Sequence, residues 1–194
     1  MELGKLIPQV FFDILARFVP GALIFGAWIV FLGEDEWSRL LDALLGGYLS
    51  SDNALASMSL VFLFLSFLSG YVLAPVAKLV QRINERFLIK KDDDVGHMYD
   101  SLRAHKPDAG ALCAKIRAEF TMHNALSVVF IVIAMMTTRS HLITTTRSHL
   151  IWALASLGAA VLMAWRGATT EITYQETTKK FFEAYELKLP SKHS

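Results

Sequence analysis

The segment Leu60-Val61-Phe62-Leu63-Phe64-Leu65 lies in a block, Leu55 to Val76, that contains no charged residue. A helix on the surface of a soluble domain shows a polar stripe, and this block has none. A tightly packed core of short soluble helices is the alternative, and the missing stripe weighs against it. A bilayer core of about 30 Å takes about 20 residues of helix, which this block supplies by itself. Three more apolar blocks occur, at Ile14–Leu32, Ala125–Thr137 and Leu150–Trp165. The last two reach spanning length with Phe120–Asn124 and Ser148–His149 near the interfaces. Since 54% of the 194 residues are hydrophobic and only 19% charged, the charges must be segregated, and Lys90-Lys91-Asp92-Asp93-Asp94 does fall between blocks. The chain therefore reads as an all-α membrane protein with four transmembrane helices. Pro8, Asp13 and Arg17 interrupt the first apolar stretch and no Ala-x-Ala site follows it, so the first span is expected to remain in place.

The net charge of +1 conceals an asymmetry. Lys78, Arg82, Arg86, Lys90, Lys91, Arg103, Lys106, Lys115 and Arg117 lie between blocks two and three, whereas Glu34, Asp35, Glu36, Asp42 and Asp52 face Arg39 alone in the first connection. Loops rich in Lys and Arg stay inside, so the middle segment is expected in the cytoplasm with both termini. Cys113 is the only cysteine, so no intrachain disulfide can form.

Four regions follow. Residues 1–76 hold an interfacial helix, the first span, an outer amphipathic helix and the second span. Residues 77–122 form a cytoplasmic helical segment, 123–166 a hairpin of spans three and four, and 167–194 a cytoplasmic C-terminal tail. Leu6, Ile7, Val10, Phe11, Ile14, Leu15 and Phe18 share one helical face against Gln9, Asp13 and Arg17, as in an interfacial helix. Asp13 and Arg17 are four apart and can pair, and Pro20-Gly21 invites a bend, so Asp13, Arg17 and Pro20 form a candidate conformational elbow. Trp37, Leu40, Leu41, Leu44, Leu45 and Tyr48 mark a short amphipathic helix on the outer surface, ended by Gly46-Gly47. A continuous helix from Ala54 to Leu88 would be about 52 Å long and would project from the membrane. Asp108 can cap another helix entering the third span, and the fourth span can continue past Arg166 toward Tyr185. With a small helix near Val95–Leu102, these extensions make a cytoplasmic helical lobe. The segment Thr137-Thr138-Arg139-Ser140-His141-Leu142-Ile143 recurs as Thr145-Thr146-Arg147-Ser148-His149-Leu150-Ile151, which reads as a tandem duplication in a tolerant loop.

Motifs for chemistry are sparse. Arg117 and His123 have an Arg-x5-His spacing seen in ribonucleases of the HEPN class, but positions six apart on a helix point to different faces. Arg117, His123 and Asn124 are instead candidate polar residues of the cytoplasmic interface. A membrane-tethered ribonuclease stays open as a rival. His97, His105 and Cys113 lack zinc-ligand spacing, no phosphate-cradling glycine loop occurs, and no metal, cofactor or catalytic residue is expected. No span carries an acidic residue near its centre, which weighs against an ion-coupled transporter. Ser59, Ser66, Ser69 and Gly70 in the second span and Ala153, Ala160 and Ala164 in the fourth put small residues at helix-contact spacing, for packing within the chain or between copies.

The run Phe12-Asp13-Ile14-Leu15-Ala16-Arg17-Phe18-Val19-Pro20-Gly21 entering the first span, with Ser69-Gly70-Tyr71-Val72-Leu73 closing the second, resembles small bacterial four-span proteins of phage-defence loci. In layout these are similar to CRISPR-accessory membrane proteins and to membrane subunits of two-gene systems such as Kiwa. The resemblance implies a homo-oligomer in the membrane lipid of a bacterial inner membrane that senses infection, or perturbs the membrane when a cytoplasmic protein partner triggers it. No direct contact with nucleic acid is expected. A passive anchor for a soluble effector is the alternative.

Overall fold

The computed structural model describes residues 7–32, 36, 39, 43, 54–89, 94–144 and 147–187. The described chain is all-helical: α1 Ile7–Leu32, α2 Ala54–Phe87, α3 Val95–His105, α4 Pro107–Thr144 and α5 Arg147–Ala184. α1, α2, α4 and α5 are each long and apolar enough to cross a membrane, as a multi-pass membrane protein requires. The outer amphipathic segment from Trp37 to Tyr48 falls almost wholly outside the described residues.

α4 is the central strut. It packs against each of the other four helices, and half of its most apolar stretch is buried, against about a fifth in α1, α2 and α5. The remaining apolar surface, including Phe64, Val72, Ile151, Trp152 and Val161, points outward, where lipid satisfies it.

α1 runs unbroken through the expected boundary between interfacial helix and span, with Pro20 inside it and fully buried. A proline costs a helix one hydrogen bond, and in a membrane the neighbouring helices compensate by packing. They do so here at a close crossing with α2. Gly21 lies against the Ser66 carbonyl and Gly70 against the Arg17 carbonyl, so neither position has room for a Cβ. Arg17-x3-Gly21 and Ser66-x3-Gly70 thus form reciprocal close-packing faces on antiparallel helices. Ser66, Gly70, Ala153 and Ala160 are all buried within one chain.

α3 and α4 meet at a one-residue corner. The residue before a proline avoids helical geometry, and Lys106 accordingly adopts φ −135°, ψ 74° before Pro107. Pro107 then opens α4, with Asp108 inside the first turn rather than at the cap. Gly110 fits under Arg103, where a Cβ would come within 2.8 Å of the Arg103 Cα. This corner folds α3 back onto the start of α4 and the end of α5. There Tyr99, Leu102, Ala109, Cys113 and Phe182 form a buried core.

The helix of the fourth span continues past Arg166 as expected, so residues 167–184 are the last turns of α5 and a wall of the lobe. Beyond them Leu187 N–H donates to the Phe182 carbonyl and Glu186 N–H to that of Glu183, a helix stop with Glu186 in the left-handed region at φ 51°. The described residues of the duplicated segment are helical rather than a loop. Its first copy lies in the last turns of α4, and 147–151 of its second copy begin α5; 145–146 lie outside the described residues.

Candidate functional site

Where the apolar stretches give way to charge, α1, α2, α3 and α4 line a cavity of about 490 Å³ that opens to solvent. Each wall follows from helical spacing. Ala16 and Arg17 come from α1, and Gly70, Ala74, Ala77 and Gln81 form a small-residue stripe down α2 that leaves open space beside α4. α4 closes the cavity with Phe120, Thr121, Asn124 and Ala125, and α3 covers it with Tyr99, Asp100 and Arg103.

Four cations reach this space, Arg17, Lys78, Arg103 and Arg117, against two carboxylates, Asp13 and Asp100. The ion pair that spacing allows between Asp13 and Arg17 does not form. The Arg17 guanidinium instead lies over the Tyr71 ring, 5.1 Å from its centroid, and that of Arg117 lies over Tyr99 at 5.7 Å. A cation on an aromatic face keeps its charge while its hydrogen-bond donors stay available. Tyr99 also meets Tyr174 of α5 edge to face at 6.1 Å. Burial pushes the Tyr99 hydroxyl above its ordinary value of 10.0, with Arg103 and Arg117 pulling it back.

A buried polar knot ties three helices beside the cavity. Asn84 Nδ2 of α2 donates to Asn124 Oδ1 of α4 and to the Ala164 carbonyl of α5, both at 3.1 Å. Gly167 is there because a Cβ would come within 2.7 Å of Asn124 Oδ1. Asn124 Nδ2 is buried with no acceptor among the described residues.

The candidates chosen from sequence divide. Asp13, Arg17, Arg117 and Asn124 converge on the cavity, while Pro20 is buried outside its lining. His123 faces α5. Thr170 gives its proton to the Arg166 carbonyl at 2.8 Å, leaving its oxygen to accept from His123 Nδ1 at 3.4 Å. Arg117 and His123 therefore serve different faces of α4 and do not meet over a common point. Lys78, Asn84, Tyr99 and Arg103 were missed. The signal for them was the stripe Gly70, Ala74, Ala77 and Gln81, which announces an open helix face beside Lys78. Among the described residues, no group of three or more His, Cys, Asp or Glu side chains has the geometry to hold a metal. No family model, curated protein or solved structure matches this chain.

Proposed function

We propose that this chain is an oligomeric inner-membrane component with its termini and lobe in the cytoplasm. In this reading the lobe engages a cytoplasmic protein partner and the span bundle carries the response into the membrane. The observation that supports it is the shared construction of the cavity: Tyr99, Asp100 and Arg103 of the lobe helix face Asp13 and Arg17 of the first span. A partner that displaces α3 changes the charge and packing around the feet of α1 and α4. The side is argued from charge, since Lys78, Arg82, Arg86, Arg103 and Lys115 gather at the lobe end. A role in antiphage defence rests on the resemblance of the first two spans, and no catalytic step is assigned.

The test is to express the chain with and without its genomic neighbours and follow membrane potential and survival during phage challenge. A change in potential that depends on the chain supports the reading, and unchanged potential with unchanged survival overturns it. A tag near residue 95 that is reachable from the periplasm overturns the orientation.

A passive scaffold for a soluble effector is the second reading. It is favoured by apolar side chains exposed around the lobe, Phe87, Leu88, Leu112, Ile172 and Tyr185. One stoichiometric partner recovered without any ion flux supports the scaffold over the responsive component.

A further inference from the structure

The cavity has a composition that a passive packing defect lacks. Gaps between membrane helices are normally lined by apolar or small side chains, whereas this one gathers Arg17, Lys78, Arg103 and Arg117. Arg17 is half-buried and Lys78, Arg103 and Arg117 are exposed, so the cavity is open to solvent and an incoming anion can supply the opposite charge. Asp13 and Asp100 supply only part of it, and neither carboxylate is bonded to one of the cations. The side chains of Lys78 and Arg103 make no hydrogen bond or ion pair among the described residues. The cavity floor adds Asn124, 1% exposed, with its amide donor unspent. A volume of about 490 Å³ suits a small organic ligand rather than a lone ion.

We infer that this cavity binds a phosphate group carried on a hydroxyl-bearing organic frame. Guanidinium forks from Arg17, Arg103 and Arg117 engage the phosphate oxygens, with Lys78 as a point charge. Asp13 and Asp100 accept hydrogen bonds from the hydroxyl groups of the frame. That division explains why carboxylates share a cationic cavity. Such a group arrives either as a phospholipid headgroup from the inner leaflet or as a soluble phosphate ester. The inference deepens the proposed function and rests on it only for placing the cavity at the cytoplasmic face.

The experiment uses the full-length chain in nanodiscs. In the lipid arm, phosphatidylcholine is replaced stepwise by phosphatidylglycerol. In the soluble arm, glycerol 3-phosphate is titrated into phosphatidylcholine nanodiscs. Thermal stability is read in both, for the wild type, for Lys78→Gln with Arg103→Gln, and for Lys180→Gln, which removes an exposed charge of α5 far from the cavity. Stabilisation of the wild type is expected in at least one arm. The double variant should need about tenfold more ligand, in keeping with the loss of charge-assisted hydrogen bonds, and Lys180→Gln should match the wild type. A response to phosphatidylglycerol alone assigns the lipid headgroup, and a response to glycerol 3-phosphate assigns the soluble ester. No stabilisation in either arm, or equal stabilisation of the double variant, overturns the inference. Should the double variant not fold, each single substitution carries the same comparison. Binding that fails while the phage response persists removes this inference alone; binding without any response removes the proposed function alone.

Discussion

Asn84 and Asn124, forty residues apart in the chain, share a buried hydrogen bond of 3.1 Å that joins α2 to α4. Asn84 is the donor to both of its partners, since Asn124 Oδ1 and the Ala164 carbonyl can only accept. Asn84→Ala should therefore destabilise the bundle by about 1–2 kcal/mol. Asn84→Asp should cost more, because an acceptor would then face two acceptors. Unfolding of both variants in mixed detergent micelles checks the order.

Glycines in this bundle are not equivalent. Gly21→Ala and Gly70→Ala each drive a Cβ into the backbone of the opposing helix and should cost about 1–3 kcal/mol or more. Gly26 and Gly158 have nothing within 4 Å of a built Cβ. Alanine there should be neutral, or stabilising by up to about 1 kcal/mol through helix propensity. Thermal unfolding of the four variants separates the pairs.

Cys113, the single cysteine, is completely buried in the lobe core beside Leu102, and Thr178 donates to its sulfur at 3.6 Å. In the wild type it should react with maleimide only through opening of the lobe. Leu102→Ala empties the centre of that core at a cost of about 2–5 kcal/mol. Labelling should accelerate accordingly while the spans stay helical, as followed by mass spectrometry and circular dichroism.

Tyr99 gives the lobe an alkaline limit. Its hydroxyl ionises higher in the folded chain than the ordinary value of 10.0, because burial disfavours the phenolate. The unfolded chain then releases this proton first, so the contribution to stability is intact below pH 10 and is lost as pH climbs through the folded value. Stability of the wild type should fall more steeply above pH 10 than that of Tyr99→Phe, while the two profiles run parallel at neutral pH.

Much of the fold was legible because it follows from one-dimensional patterns. Apolar length marked α1, α2, α4 and α5, and Asp108, read as a cap, marked the start of α4 to within a residue or two. The interfacial helix was read as separate because Pro20-Gly21 looks like a break. In the bundle the same pair buries Pro20 and lets Gly21 meet Ser66, so the residues that signal a bend provide the tightest contact. The duplicated Thr-Thr-Arg-Ser-His-Leu-Ile segment read as loop because repetition suggests tolerance, yet its residues propagate the helices on either side. Of the site, charge and polarity near the span ends pointed to Asp13, Arg17, Arg117 and Asn124. They did not reveal that four helices bring these residues together, nor that Asn84 and Lys78 join them. That convergence depends on which faces of α2 and α4 oppose each other, and spacing along one helix carries no such information.

The central position of α4 has a mechanical consequence. Its 38 residues make a rod of about 57 Å at about 1.5 Å per residue, which starts in the lobe, lines the cavity and ends at Thr144. Every neighbour leans on that rod, so a tilt imposed at its foot reaches the opposite membrane face without any separate relay. A small rotation near Arg117 would sweep the end near Thr144 through a proportionally larger arc.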